Sequence, residues 1–189
     1  MKLNLTLLFF ILLNLQAYSQ SKNNVSLLFG AVNNDVNIHG AIGDYGYTPK
    51  SGILYGLTYS RALNHSLAFE TGVVYSNNKI QLNTDGPLSH TTDGNVHILS
   101  VPVILKYTFL KYLYADGGLL VENQTNNSII RDQSGIGFEL GLGGKYDAGR
   151  VTFFLNPFLR EHAVIAFKSE GSSQNLLEGG LKLGLGYNF

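Results

Sequence analysis

The chain carries five histidines, the residue type that most often transfers protons near neutral pH. His90, Asp93 and His97 share one polar stretch and could converge on a metal ion or a proton-transfer site. Their spacing matches no ligand motif, and ordinary loop polarity explains them more simply. His39 falls in another loop, His65 in a short turn and His162 near the outer end of a strand. We therefore predict no catalytic, cofactor or metal site, and no enzyme.

A second group of chemically active side chains is charged and lies on the polar faces of predicted strands. We call this group the lumen charge network; its members are Glu70, Lys106, Asp116, Glu122, Glu139, Lys145, Arg160, Glu178 and Lys182. Five acids against four bases nearly cancel, and buried charges are costly unless they pair. Pairing is expected between neighbouring strands: Lys145 or Glu139 with Arg160, and Glu178 or Lys182 with their neighbours.

The segments that must position these charges alternate between apolar and polar residues. The last segment is the clearest, since apolar residues occupy every second position from Leu177 to Phe189, apart from Gly179. A period of two indicates a β-strand with one apolar face. Eight such segments occur, and the first, around Val25 to Asn33, is short and weakly patterned.

The connections between the predicted strands alternate between long and short. The long ones are expected at about Asn34–Ser51, Asn77–Asn95, Asn123–Gly135 and Lys168–Asn175. This layout predicts an up-and-down barrel with every long loop at one end, as in transmembrane barrels of bacterial outer membranes.

The composition favours a barrel whose apolar face looks outward. Charged residues make up only 14% of the 189 residues, against about 25% in typical domains. The polar face is rich in Gly, which suits the crowded interior of eight strands. Aromatic residues such as Tyr59, Tyr107 and Tyr146 stand near the ends of the apolar faces, as in interfacial girdles. A soluble, lipocalin-like barrel, with its apolar face inward, remains the alternative.

Two further features concern location and partners. Lys2, the apolar run Leu3–Leu15 and Ala17-Tyr18-Ser19 have the form of a signal peptide, predicted over residues 1–19. The barrel domain is then expected over residues 20–189. Thirteen basic and thirteen acidic residues give a net charge of zero, which argues against nucleic-acid binding. The absence of Cys excludes disulfide scaffolds and thiolate sites.

Two short motifs carry a resemblance to known proteins. The ending, with Leu185, Tyr187 and Phe189 at alternate positions, resembles the β-signal read by the outer-membrane barrel assembly machinery. The segment Val101-Pro102-Val103-Ile104-Leu105-Lys106-Tyr107 resembles a strand of the PorT-like, porin-superfamily outer-membrane β-barrel domain of Bacteroidota. This resemblance covers essentially the whole mature chain and implies fold and location, but little about activity.

The sequence therefore predicts an all-β protein: an eight-stranded, antiparallel, up-and-down transmembrane β-barrel preceded by a signal peptide. We expect a monomer in the cell outer membrane, in contact with outer-membrane lipid and with the assembly machinery during biogenesis. Its lumen is expected to be a salt-bridged plug, and its four outer loops to bind a partner that the sequence does not identify. A narrow path for ions or small solutes remains the alternative.

Overall fold

A computed structural model describes residues 23–39, 45–84, 90–128, 130, 132–168 and 173–189, and these residues form eight β-strands. The strands are β1 (Asn23–His39), β2 (Tyr45–Ala62), β3 (Leu67–Thr84), β4 (His90–Leu110), β5 (Leu113–Gln124), β6 (Gly135–Ala148), β7 (Val151–Ala166) and β8 (Ser173–Asn188). No helix within the described ranges is long and apolar enough to cross a membrane.

The eight strands close into one barrel in the order of the sequence. Every neighbouring pair is antiparallel, and β1 pairs with β8 to complete the ring. At the short-turn end, the backbones of Asn23 and Phe189 exchange two hydrogen bonds of 3.0 and 2.9 Å. At the level where all eight strands are paired, closure leaves no open sheet edge, so the backbone groups of the wall are paired without water. The predicted antiparallel eight-stranded barrel is confirmed.

The strands on one side of the barrel are longer than predicted. The expected loop Asn34–Ser51 is largely strand, because β1 continues to His39 and β2 already begins at Tyr45. The expected loop Asn77–Asn95 is likewise occupied by the ends of β3 and β4. Polar residues predominate in these stretches, so alternation does not reveal them. The end of β1 nevertheless pairs in register with β8, and the ends of β3 and β4 pair with each other, while the β2–β3 pairing shifts register between Pro49 and Gly52. Residues 40–44 and 85–89 lie outside the described residues, as does the predicted signal peptide.

The outer surface of the barrel carries a belt of large apolar side chains. Phe29 is 65% exposed and Leu142 is 60% exposed, and outward residues of all eight strands behave alike. A soluble barrel has the opposite arrangement, with a polar exterior. Tyr112 lies in the β4–β5 turn, outside the strand alternation. Its exposed ring stacks on Tyr146 with 6.2 Å between centroids.

Candidate functional site

The centre of the lumen holds an ion-pair cluster built on Glu139 of β6. Arg160 of β7 donates to Glu139 Oε2 from Nε at 3.0 Å and from Nη2 at 2.6 Å. Lys182 of β8 approaches the other carboxylate oxygen to 2.5 Å. Glu178 also lies near this cluster, with its Oε2 3.6 Å from Arg160 Nη1. All four side chains are nearly inaccessible to solvent, so each charge has an opposite charge beside it where water is scarce.

His162 belongs to this cluster, although the sequence analysis placed it near an outer strand end. Its Nδ1 lies 2.8 Å from Glu122 Oε1 and its Nε2 lies 2.8 Å from Glu178 Oε1. Both ring nitrogens therefore face carboxylates, an arrangement that suits an imidazolium, in which both nitrogens donate. His162 lies two positions after the inward-facing Arg160, so the alternation of the strand predicts an inward position for His162 as well. This was the available signal in the sequence.

A β-bulge in β7 places the His162 side chain deep in the lumen. Phe138 pairs with Glu161, and Ile136 pairs with Ile165. Between these pairs one residue of β6 lies opposite three of β7, so β7 contains two extra residues here. Ala163 adopts a φ of 49° within this bulge. Both His162 and Ala163 are buried as a result. Bulges bend a strand and re-aim its side chains, and this one has no simple signature in the sequence.

Hydrogen bonds from other strands extend the cluster across the lumen. Asn78 of β3 donates to Glu178 of β8, on the far side of β1 and β2. Asn156 of β7 donates to Asp116 of β5 at 2.5 Å, and Ser100 donates to Glu122 at 3.1 Å. The first two of these contacts join strands that are not neighbours in the wall, whereas Ser100 and Glu122 lie opposite each other on the adjacent strands β4 and β5. The lumen at this level is therefore filled by side chains, as expected for eight strands.

The remaining members of the lumen charge network lie closer to the short-turn end. Lys106 pairs with Glu70 at 2.5 Å, and its Nζ lies 5.2 Å from the Phe154 ring centroid. Lys145 forms no ion pair with any residue in the described part of the chain. It lines a polar cavity of about 680 Å³ together with Glu70, Lys106 and Tyr114. The structure thus brings eight of the nine predicted residues into contact with partners and leaves Lys145 apart.

The opposite end of the lumen is closed by an apolar cluster that the sequence analysis did not anticipate. Its members are Ile80, Val96, Ile98, Ile130 and Leu176, all buried. Ile130 comes from the β5–β6 connection, which therefore folds into the barrel mouth. Gln133 of the same connection is fully buried, and its Oε1 accepts a hydrogen bond of 3.1 Å from the Leu176 backbone.

Polar contacts hold this connection against the barrel rim. The Asn126 side chain accepts from the His97 backbone and donates to the Asn95 carbonyl, both at 2.8 Å. Its carboxamide thus bonds to the β4 edge as a further strand would. Lys168 bonds to Asp132 at 3.2 Å, joining the connection to the residues that follow β7. Burial raises the pKa of Asp132, but hydrogen bonds from Ser134 and the charge of Lys168 hold it below its usual value.

We expect this Asp132 contact to weaken as pH falls. Because the folded pKa is lowered, the contact stabilises the connection fully above about pH 5 and is lost as pH drops below about 4. The pair is partly exposed, so its contribution is at most about 1 kcal/mol. Hydrogen exchange of the 132–134 amides, corrected for intrinsic rates, should show this pH dependence in the wild type. The variant Asp132→Asn should lose it; an unchanged profile would contradict the assignment.

The histidine cluster considered from the sequence does not form a site in the described residues. Asp93 accepts from Gln81 Nε2 at 3.0 Å, and the His97 ring contacts the edge of Tyr75 at 5.8 Å. Four residues along a strand separate them by about 13 Å. The His90 side chain lies outside the described residues. Across the described ranges, no group of three or more His, Asp or Glu side chains is arranged to hold a metal ion.

The predicted assembly signal lies on the outside of β8. Leu185, Tyr187 and Phe189 are all exposed on the apolar belt. The Tyr187 hydroxyl accepts a hydrogen bond of 3.2 Å from Arg150 in the β6–β7 turn. The three side chains therefore share one face at the short-turn end.

No protein family and no curated protein matches the chain. Among solved structures it is similar to the outer membrane protein OprG from Pseudomonas aeruginosa, with a TM-score of 0.58 and 15% identity. That match covers 92% of this chain and 98% of OprG. The fold is that of an outer-membrane β-barrel. Ail, the attachment invasion locus protein of Yersinia pestis, also matches, with a TM-score of 0.45, 17% identity and coverage of 89% of this chain and 99% of Ail.

Proposed function

We propose that this chain is an integral outer-membrane β-barrel that does not conduct, and that it serves as a binding scaffold rather than as an enzyme. The apolar belt supports a position in lipid, since a surface of such side chains would be unstable in water. The fold shared with OprG supports the outer membrane as its location. In this proposal the protein is a monomer, and the barrel assembly machinery inserts it through the signal at Leu185, Tyr187 and Phe189.

The observation that carries the non-conducting state is the double closure of the lumen. Charged side chains joined across the barrel fill its middle, and Arg160 and Glu178 there are at most 2% exposed. The apolar cluster around Ile130 adds a second barrier towards the long-loop end. A hydrated ion would have to displace both layers, and the five apolar side chains of the second layer cannot replace its water shell.

Planar-bilayer recording tests this closure. The refolded wild type is expected to insert without producing stable single-channel currents, because both layers remain in place. Insertion is checked in the same preparation by the faster migration of the unboiled barrel on an SDS gel. Stable, reproducible channel openings from inserted wild-type protein would support the narrow-pore alternative instead.

A polar wall beyond the apolar belt supports the binding role. The far halves of β1 to β4 extend past the exposed apolar belt. Their described outward faces present exposed polar side chains, namely Asn33, Asp35, Ser51, Lys79, Thr91, Asp93 and Asn95. We propose that this wall contacts the partner outside the cell. Alanine substitutions here should reduce whole-cell binding of a partner without lowering the amount of folded barrel, whereas substitutions in the short turns should not.

The PorT-like resemblance refines this proposal. The segment from Val101 to Tyr107 runs through the belt of β4, with Val101, Val103 and Leu105 exposed outward and Ile104 buried inward. This is the pattern that a membrane-crossing strand of such a barrel requires. We therefore propose membership of the PorT-like outer-membrane barrels of Bacteroidota type.

A further inference from the structure

The apolar belt contains an open depression on strands β5 to β8 and β1. It is a groove of about 860 Å³ lined by apolar and aromatic side chains, among them Leu27, Leu113, Tyr146, Phe153, Leu155 and Leu183. We call it the outer groove. These six residues are 42–59% exposed, so within the described residues no other part of the chain covers them.

Gly144 creates the floor of the outer groove. Gly144 pairs with Leu113 of β5 on one side and with Leu155 of β7 on the other. It therefore leaves a gap between two outward-facing leucine side chains. A Cβ added there would meet nothing closer than 3.6 Å. Two other outward-facing glycines are already covered by neighbouring side chains. A Cβ added at Gly117 would lie 2.7 Å from the Leu140 side chain, and a Cβ added at Gly179 would lie 3.3 Å from the Leu159 side chain. Gly144 is thus an open notch in an otherwise continuous apolar surface.

Polar and positive groups border the groove at the short-turn end. Tyr112 and Tyr146 stack at its edge, in the manner of interfacial aromatic residues. Lys111 lies over the Tyr112 ring at 5.2 Å, and Arg150 bonds to the Tyr187 hydroxyl. Both cations are exposed. Asp147, the acid nearest to Arg150 in the sequence, lines the lumen cavity and accepts from Thr152 rather than facing the groove.

From this geometry we infer that the outer groove binds one phospholipid with an anionic headgroup, drawn from the leaflet at the short-turn end. An acyl chain fills the notch above Gly144, and the phosphate region lies beside the tyrosines within reach of Lys111 or Arg150. The charge complementarity selects an anionic headgroup over a zwitterionic one. This inference rests on the proposed position in a membrane, because only there is an acyl chain at hand to fill the groove.

Native mass spectrometry of the refolded barrel in detergent micelles tests the inference, with palmitoyl-oleoyl phosphatidylglycerol and the matching phosphatidylcholine as probes. The wild type should retain one phosphatidylglycerol molecule more often than one phosphatidylcholine. Gly144→Leu, which fills the notch, should lose most of both adducts. Lys111→Gln with Arg150→Gln should keep the phosphatidylcholine adduct and lose the preference, by about fivefold for each cation removed.

Thr71→Leu is the matched control, because it adds the same side chain to the outward face of β3, away from the groove. Its adducts should equal those of the wild type. Equal phosphatidylglycerol adducts on wild type and Gly144→Leu, or no headgroup preference in the wild type, would overturn the groove assignment while leaving the membrane barrel intact. Failure of the wild type to float with lipid vesicles would overturn the proposed function and this inference together.

Discussion

Arg160→Met is expected to lower the free energy of unfolding of the barrel by about 3–5 kcal/mol, the cost of breaking a buried ion pair by removing one partner. Arg160 is 2% exposed and makes two hydrogen bonds to Glu139, with Glu178 3.6 Å away. Methionine has a similar volume but carries no charge. The substitution leaves Lys182 as the only cation bonded to Glu139 among these residues, and it removes the guanidinium that lies beside Glu178. Urea titration of the barrel in lipid vesicles, followed by the gel shift of unboiled samples, measures the difference.

Lys145→Met is the matched control for this experiment. It also removes one inward-facing cation, but Lys145 forms no ion pair within the described residues and borders the polar cavity. Its substitution should change the free energy of unfolding by about 0.5 kcal/mol or less. The double variant Arg160→Met with Glu139→Gln should recover part of the loss, since it restores the balance of positive and negative charges in the cluster. Equal effects of Arg160→Met and Lys145→Met would show that the network does not stabilise the barrel.

The alternation of the sequence was sufficient to predict the barrel and the side of the wall on which each charge lies. A period of two assigns faces without further information, and Glu70, Glu139 and Arg160 lie inward as expected. It was not sufficient to predict which charges meet. Glu178 bonds to Asn78, one hundred residues away and three strands around the ring, and such contacts across a lumen depend on the shear and tilt of the whole barrel.

Three features escaped prediction because they break the alternation or do not need it. The β7 bulge at Ala163 carries His162 deep into the network, and a bulge adds residues without changing composition. The polar ends of β1 to β4 are held by backbone hydrogen bonds, which form whether or not the side chains alternate between apolar and polar. Ile130 enters the lumen from a connection, where an exposed position is expected. The two consecutive apolar residues Ile129 and Ile130 in a polar loop were the available signal.

Gly118 is a second position where a single substitution should have a large effect, and it explains why the inward face is rich in glycine. A small barrel curves strongly, so an inward Cβ on one strand can approach the backbone of the next. A Cβ at Gly118 of β5 would collide with the Val103 carbonyl and lie 2.8 Å from Ile104 Cα, both on β4. No side-chain rotation relieves a clash with backbone, so β4 and β5 would have to separate.

Gly118→Ala is therefore expected to lower the free energy of unfolding by about 1–3 kcal/mol, the usual cost of overpacking, with loosened β4–β5 pairing detectable by hydrogen exchange. Gly144→Ala adds the same methyl group where the nearest heavy atom is 3.6 Å away. It should be neutral or stabilising by up to about 1 kcal/mol, because alanine restricts the unfolded chain more than glycine. If both substitutions cost the same, strand propensity rather than curvature would account for the inward glycines.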